Sequence, residues 1–201
     1  AWVAAPELAR GTGKAAARRT GAVAVLARGA LALAVAVAFP AQAQTLTWLG
    51  LTDNYFNNAN NWAPTAVPGL TGTAVFTDAG ATDVVIRGSM QHVQAFQFNN
   101  DAQAYSFQVS NHVAFLNGGI FNNSANTQTF TLVNGGAISF AQSTAGNSTI
   151  NGGSVVFQTS STGGTATLNA QRVSLSGRSS LQVATVNVDG ASGSLVFAER
   201  A

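Results

Sequence analysis

Apolar and polar positions along the second half of the chain recur with a long, even period. Asn occurs at 100, 117, 134, 151, 169 and 187, at spacings of 17, 17, 17, 18 and 18 residues. The residue before it is apolar at the last five: Leu116, Val133, Ile150, Leu168 and Val186. Four positions after Asn stand Phe121, Ile138, Val155 and Val173, and six after stand Phe140, Phe157 and Leu175. Apolar residues two apart with polar residues between them follow the period of a strand, not of a helix. A second register runs with the first. Ser143-Thr-Ala-Gly and Ser161-Thr-Gly-Gly lie 18 apart, and each leads into a short run that ends at Ile150 or Leu168.

One such unit cannot bury its apolar positions alone, but stacked units can. A unit of 17–18 residues, built of short strands and tight turns, has the length of one β-helix coil. The pattern therefore predicts an all-β solenoid, a single-stranded β-helix with coils of 17–18 residues over 91–201. Asn tolerates a left-handed backbone and Gly adopts one freely. Asn117, Asn134, Asn151, Asn169 and Asn187 are accordingly predicted at one corner of successive coils. At a strand spacing of about 4.8 Å their amides would form a ladder. Ile138, Phe140, Val155, Phe157, Val173 and Leu175 form the predicted core stack. A β-sandwich or jelly roll also has short strands and frequent turns, but it does not require the same residue type at the same position of each unit. After Asn187 the apolar positions of VDGASGSLVF shift by two, which predicts an insertion or a change of coil shape.

Residues 44–90 read differently and are predicted to cap the coils and supply the first strands. Trp48 and Trp62 flank an Asn-rich stretch (Asn57, Asn58, Asn60, Asn61), and Pro64 and Pro68-Gly69 interrupt the chain before a strand-like TAVF. Paired tryptophans serve as carbohydrate platforms or as packing in a cap, and the cap is the expectation here.

Charge changes the picture at the N-terminus. The 201 residues carry only 8% charged side chains, against about 25% in typical proteins. Five of the nine basic residues (Arg10, Lys14, Arg18, Arg19, Arg28) precede residue 44. From there on, four Arg face six acids, a net charge of −2 with no Lys. The basic pI thus belongs to the N-terminal segment, and nucleic acid is not an expected partner. The basic stretch leads into an apolar run, GALALAVAVAF at 29–39, followed by Pro40 and the small-x-small sequence Ala41-Gln42-Ala43. This order is that of a cleavable secretory leader, 1–43, with cleavage between Ala43 and Gln44. Extending the run back into a membrane span would bury Arg28. GTGK at 11–14 lacks the rest of a phosphate-binding loop.

Trp2, Val3, Ala4, Glu7, Leu8, Ala9, Arg10, Gly11 and Lys14 match the pattern of the extended signal peptide region of type V secreted proteins of Gram-negative bacteria. The stretch 45–76 resembles the opening of many autotransporter passengers, and STAGNSTI and SSTGGTATL resemble their repeats. The resemblance implies a right-handed β-helix and passage across the inner and then the outer membrane. It also implies two kinds of partner: the export machinery of both membranes, and a C-terminal translocator barrel outside this N-terminal fragment. A surface-displayed or secreted, adhesin-like passenger is the leading expectation, with a host-surface or glycan ligand.

Candidate chemistry is sparse. No Cys is present, so disulfides and thiolate metal sites are excluded. His92 and His112 lie twenty apart without metal-ligand spacing and are expected on the surface or in turns. Asp83 and Asp101, eighteen apart, could share a face as a carboxylate pair, with Arg87 the nearest cation. That pair is the basis of a competing reading, an exported β-helix polysaccharide-degrading enzyme. A third reading is an exoprotein secreted with a separate outer-membrane partner, whose usual Asn-Pro-Asn-Gly motifs are missing here. The expectation is a non-enzyme without cofactor or metal.

Overall fold

A computed structural model of the chain describes residues 43–188 and 193–198. Residues 1–42 of the segment expected to be a leader, including Ala41 and the matching residues 2–14, lie outside the described residues; Ala43 is exposed, and Gln44 opens the first strand. The described chain is an all-β solenoid whose strands alternate between two sheets. The six-stranded sheet consists of β4 (Asp83–Ile86), β6 (Ser106–Val109), β8 (Thr129–Leu132), β10 (Thr149–Asn151), β12 (Thr167–Ala170) and β14 (Thr185–Val188). These six strands are parallel and in chain order, one per coil.

The nine-stranded sheet runs in the same sense. Its parallel members are β1 (Gln44–Trp48), β3 (Gly72–Phe76), β5 (Gln91–Phe98), β7 (His112–Asn122), β9 (Ala137–Ala141), β11 (Ser154–Gln158), β13 (Arg172–Leu175) and β15 (Ser194–Phe197). β2 (Trp62–Ala63) pairs antiparallel with the outer edge of β1 and closes the sheet there. An unpaired parallel edge would template further pairing, and the short antiparallel strand removes it.

The predicted core stack is in register. Val155 lies between Ile138 and Val173, and Phe157 between Phe140 and Leu175. All six are at most 4% exposed. Phe115, Phe140 and Phe157 stack with centroids 5.2 and 5.1 Å apart and rings within 12° of parallel. Phe107 and Phe130 stack at 4.5 Å on the other sheet. Phe121 departs from the predicted column. It pairs with Gln97 and is 44% exposed, because β7 changes register against β5 after Val93.

Coil length is not uniform, and this changes the Asn assignment. Thr149, Thr167 and Thr185 are in register at eighteen-residue steps, but Ser106 pairs with Thr129 and Val113 with Ile138, steps of 23 and 25. Asn151, Asn169 and Asn187 therefore stack, whereas Asn117 and Asn134 do not join them. The residue below Asn151 is Thr131. Asn134 bulges from a longer turn between β8 and β9, exposed and with φ 52°. Asn117, φ 61°, falls at a different corner, where its counterpart in the next coil is Gln142, φ 51°. Both corners call for a left-handed residue, so Asn-Gly recurs without marking one position. Gly119 belongs to the same corner, at φ 122°. A Cβ there would meet the Thr144 backbone, with which Gly119 forms an isolated bridge.

The Ser register is a ladder as well. Ser161 Oγ accepts the Ser143 N–H, and Ser179 Oγ accepts that of Ser161, both at 3.2 Å. The solenoid also starts earlier than residue 91: β3 and β4 already form a coil, without an Asn-Gly corner to announce it. At the far end, Val173 pairs with Leu195, a step of 22, so the last turn is four residues longer than its neighbour.

Trp48 and Trp62 are buried cap residues. Their rings meet edge to face at 5.0 Å, and Phe56 and Phe76 pack on Trp62. Each indole N–H donates at 2.8 Å, to the Ala81 and Phe56 carbonyls respectively. With both faces enclosed they cannot form a sugar platform. Asn61 ties the Asn-rich loop together from a fully buried position. Its Oδ1 accepts from the Thr52 and Asp53 N–H groups, and its Nδ2 donates to Asp53 Oδ1 and the Tyr55 carbonyl.

Candidate interaction surface

The strand alternation that sends Phe130, Ile150 and Leu168 into the core sends their neighbours outward. On the six-stranded sheet this builds two straight outward columns, polar except at Val85. One runs Asp83, Ser106, Thr129, Thr149, Thr167, Thr185, and the other Val85, Gln108, Thr131, Asn151, Asn169, Asn187. Strand pairing spaces each column at about 4.8 Å, and the columns stand two residues apart.

The Asn column is internally bonded. Asn169 Nδ2 donates to Asn151 Oδ1 and Asn187 Nδ2 to Asn169 Oδ1, both at 2.8 Å. The ladder fixes the amides, and the Thr hydroxyls beside them remain able to donate and accept. From Thr129 onward neither column carries a charge. Such a face can hydrogen-bond a neutral, hydroxyl-rich ligand with repeating groups. The Thr column was not anticipated from the sequence, although Thr-x-Asn at 149–151, 167–169 and 185–187 encodes it.

Asp83 and Asp101 are not brought together. Asp83 lines an open hollow with Asn54, Ser106 and Gln108, while Asp101 lines another with Asn99, Asn100 and Asn123. Asp101 lies in the loop after β5 and Asp83 begins β4, so equal spacing gave no common face. The Arg87 guanidinium carbon sits 3.7 Å from the centroid of the Tyr55 ring, packed on it as a cation on an aromatic face. Asp53 is held below the usual carboxylate range, first by the Tyr55 N–H and then by the Asn58 amide.

His92 is exposed on the nine-stranded sheet, and His112 is half-buried, its Nε2 2.8 Å from Ser139 Oγ. Burial, and secondarily the charge of His92, lowers the His112 pKa. Tyr105 is buried, and its single hydroxyl proton is shared between the Thr77 and Ala79 carbonyls, 2.9 and 2.7 Å away. Desolvation pushes its pKa up to about 12, and Asp78 and Asp101 add to the effect.

No protein-family model, curated protein or solved structure matches the chain.

Proposed function

We propose that the solenoid is the surface-displayed or released passenger region of a type V secreted protein of a Gram-negative bacterium. Its role on this reading is adhesin-like and physical, not catalytic. The observation that carries the reading is the register of the stack: parallel coils, closed at the N-terminal edge by β2 and the tryptophan cap. A solenoid of this kind can add coils one at a time as a chain emerges unfolded from a membrane, because each coil contacts only its neighbours. The capped edge directs such growth to the other end. The leader pattern of 1–43 and the match at residues 2–14 supply the export route. The neutral Thr and Asn columns are the contact face, and a glycan or a host-surface molecule rich in hydroxyls is the ligand class they suit.

The test is to express the full chain, with an initiator Met, in a Gram-negative host, then fractionate the cells and sequence the N-terminus. The reading expects a periplasmic product that begins at Gln44. A cytoplasmic product that retains Trp2 overturns it.

A further inference from the structure

The whole chain contains two histidines and no cysteine. Twenty residues separate the histidines in sequence, yet the fold places them on neighbouring strands and on the same outward face. His92 of β5 pairs with Ala114 of β7, and His112 precedes Ala114 by two residues on that strand. Val113 and Phe115, on either side of Ala114, point into the core, so His112 and Ala114 point out with His92. The histidines are thus diagonal cross-strand neighbours, with Cα atoms ~8 Å apart by strand spacing and rise. Long side chains at such positions can meet. Ser139 of β9 pairs with Ala114 from the other side. The three polar side chains surround one small residue, and Ala114, though outward, is only 7% exposed.

We infer that His92 and His112 form a binding site for a divalent late first-row transition metal ion, with Ser139 orienting His112. Imidazole is the ligand type these ions prefer among the groups present. The Nε2 of His112 is engaged with Ser139 Oγ, which leaves Nδ1 as the ligating nitrogen. Metal-bound imidazoles characteristically donate their other N–H to a nearby oxygen, which fixes tautomer and ring orientation. Ser139 Oγ stands where that acceptor is needed, 2.8 Å from Nε2. Two protein nitrogens leave the remaining coordination positions to water, so the ion sits open at the surface. Copper(II) should bind most tightly by the Irving–Williams order, and magnesium and calcium, which prefer oxygen, should not compete. This inference does not depend on the display reading.

The experiment is a zinc titration of the untagged full chain, followed by calorimetry and by NMR of the imidazole resonances. With two histidines in the chain, each signal is assigned by deleting the other residue. The expected result is one equivalent of zinc, with both imidazoles shifting at the same Kd. His92→Ala removes an exposed side chain and should leave the fold intact while weakening binding at least tenfold. Ser139→Ala should weaken it about tenfold through loss of the orienting bond, and Ser139→Thr should restore it. Wild-type affinity in His92→Ala, separate Kd values for the two rings, or no shift of either ring in excess zinc overturns the assignment.

Discussion

Phe157→Ala removes the ring at the centre of the stack, and its cost can be built from three observations. Phe157 is 0% exposed, its ring stacks on Phe140 at 5.1 Å, and Leu175 lies directly across on the next strand. Loss of the buried side chain forfeits ~1.5–3 kcal/mol of transfer free energy. The aromatic pair adds ~0.5–1.5 kcal/mol beyond area. The remaining void cannot close easily, because pairing fixes the backbone on both sides. The total, about 4 kcal/mol, lies within the usual range for Phe→Ala in cores. Urea unfolding followed by circular dichroism measures it. With a slope of about 2 kcal/mol per molar, the midpoint should fall by ~2 M. Phe197 is the internal control. It occupies the same column, paired with Leu175, but is 69% exposed on the last described strand. Phe197→Ala should change stability by less than ~0.5 kcal/mol. A midpoint shift below ~0.5 M for Phe157→Ala, or equal shifts for the two variants, refutes the reasoning.

Three further outcomes are expected. Asn169→Ala breaks both bonds of the Asn ladder and should cost about 1–2 kcal/mol in the same unfolding assay, because each half-exposed hydrogen bond contributes modestly. Asn61→Ala should cost more, about 2–3 kcal/mol, since it removes a fully buried amide that makes four hydrogen bonds to Thr52, Asp53 and Tyr55. Stability should fall as pH rises from about 10 to about 12. The folded state keeps the Tyr105 proton over that window while the unfolded chain releases it, so the unfolded state binds fewer protons; Tyr105→Phe should flatten this slope by about one proton.

The core was legible because its signal is local. Ile138 with Phe140, and Val155 with Phe157, alternate along single strands, and burial demands that alternation wherever the strand stacks. The Asn register was legible only where coil length is constant. From Thr149 to Thr185 the coils step by eighteen residues, and Asn151, Asn169 and Asn187 fall in one column. Before that, turns of different length intervene, and a shared period of seventeen joined Asn117 and Asn134 to a column neither occupies. A left-handed turn residue reports the local backbone, not its place in the coil. The neighbouring histidines were hidden for a related reason. His92 and His112 are twenty apart, and only the register of β5 against β7, which a bulge then alters, places them side by side.

The central claim is that the coils stack in parallel with the stated register, and distances along one column test it most directly. The chain has no cysteine, so paired spin labels can be placed on the outward column at Asp83, Ser106 or Thr129 together with Thr185. The stack predicts that the label separation shortens by about 4.8 Å for each coil nearer to Thr185, starting from ~24 Å between Asp83 and Thr185. Separations that do not change by a constant step from coil to coil contradict it.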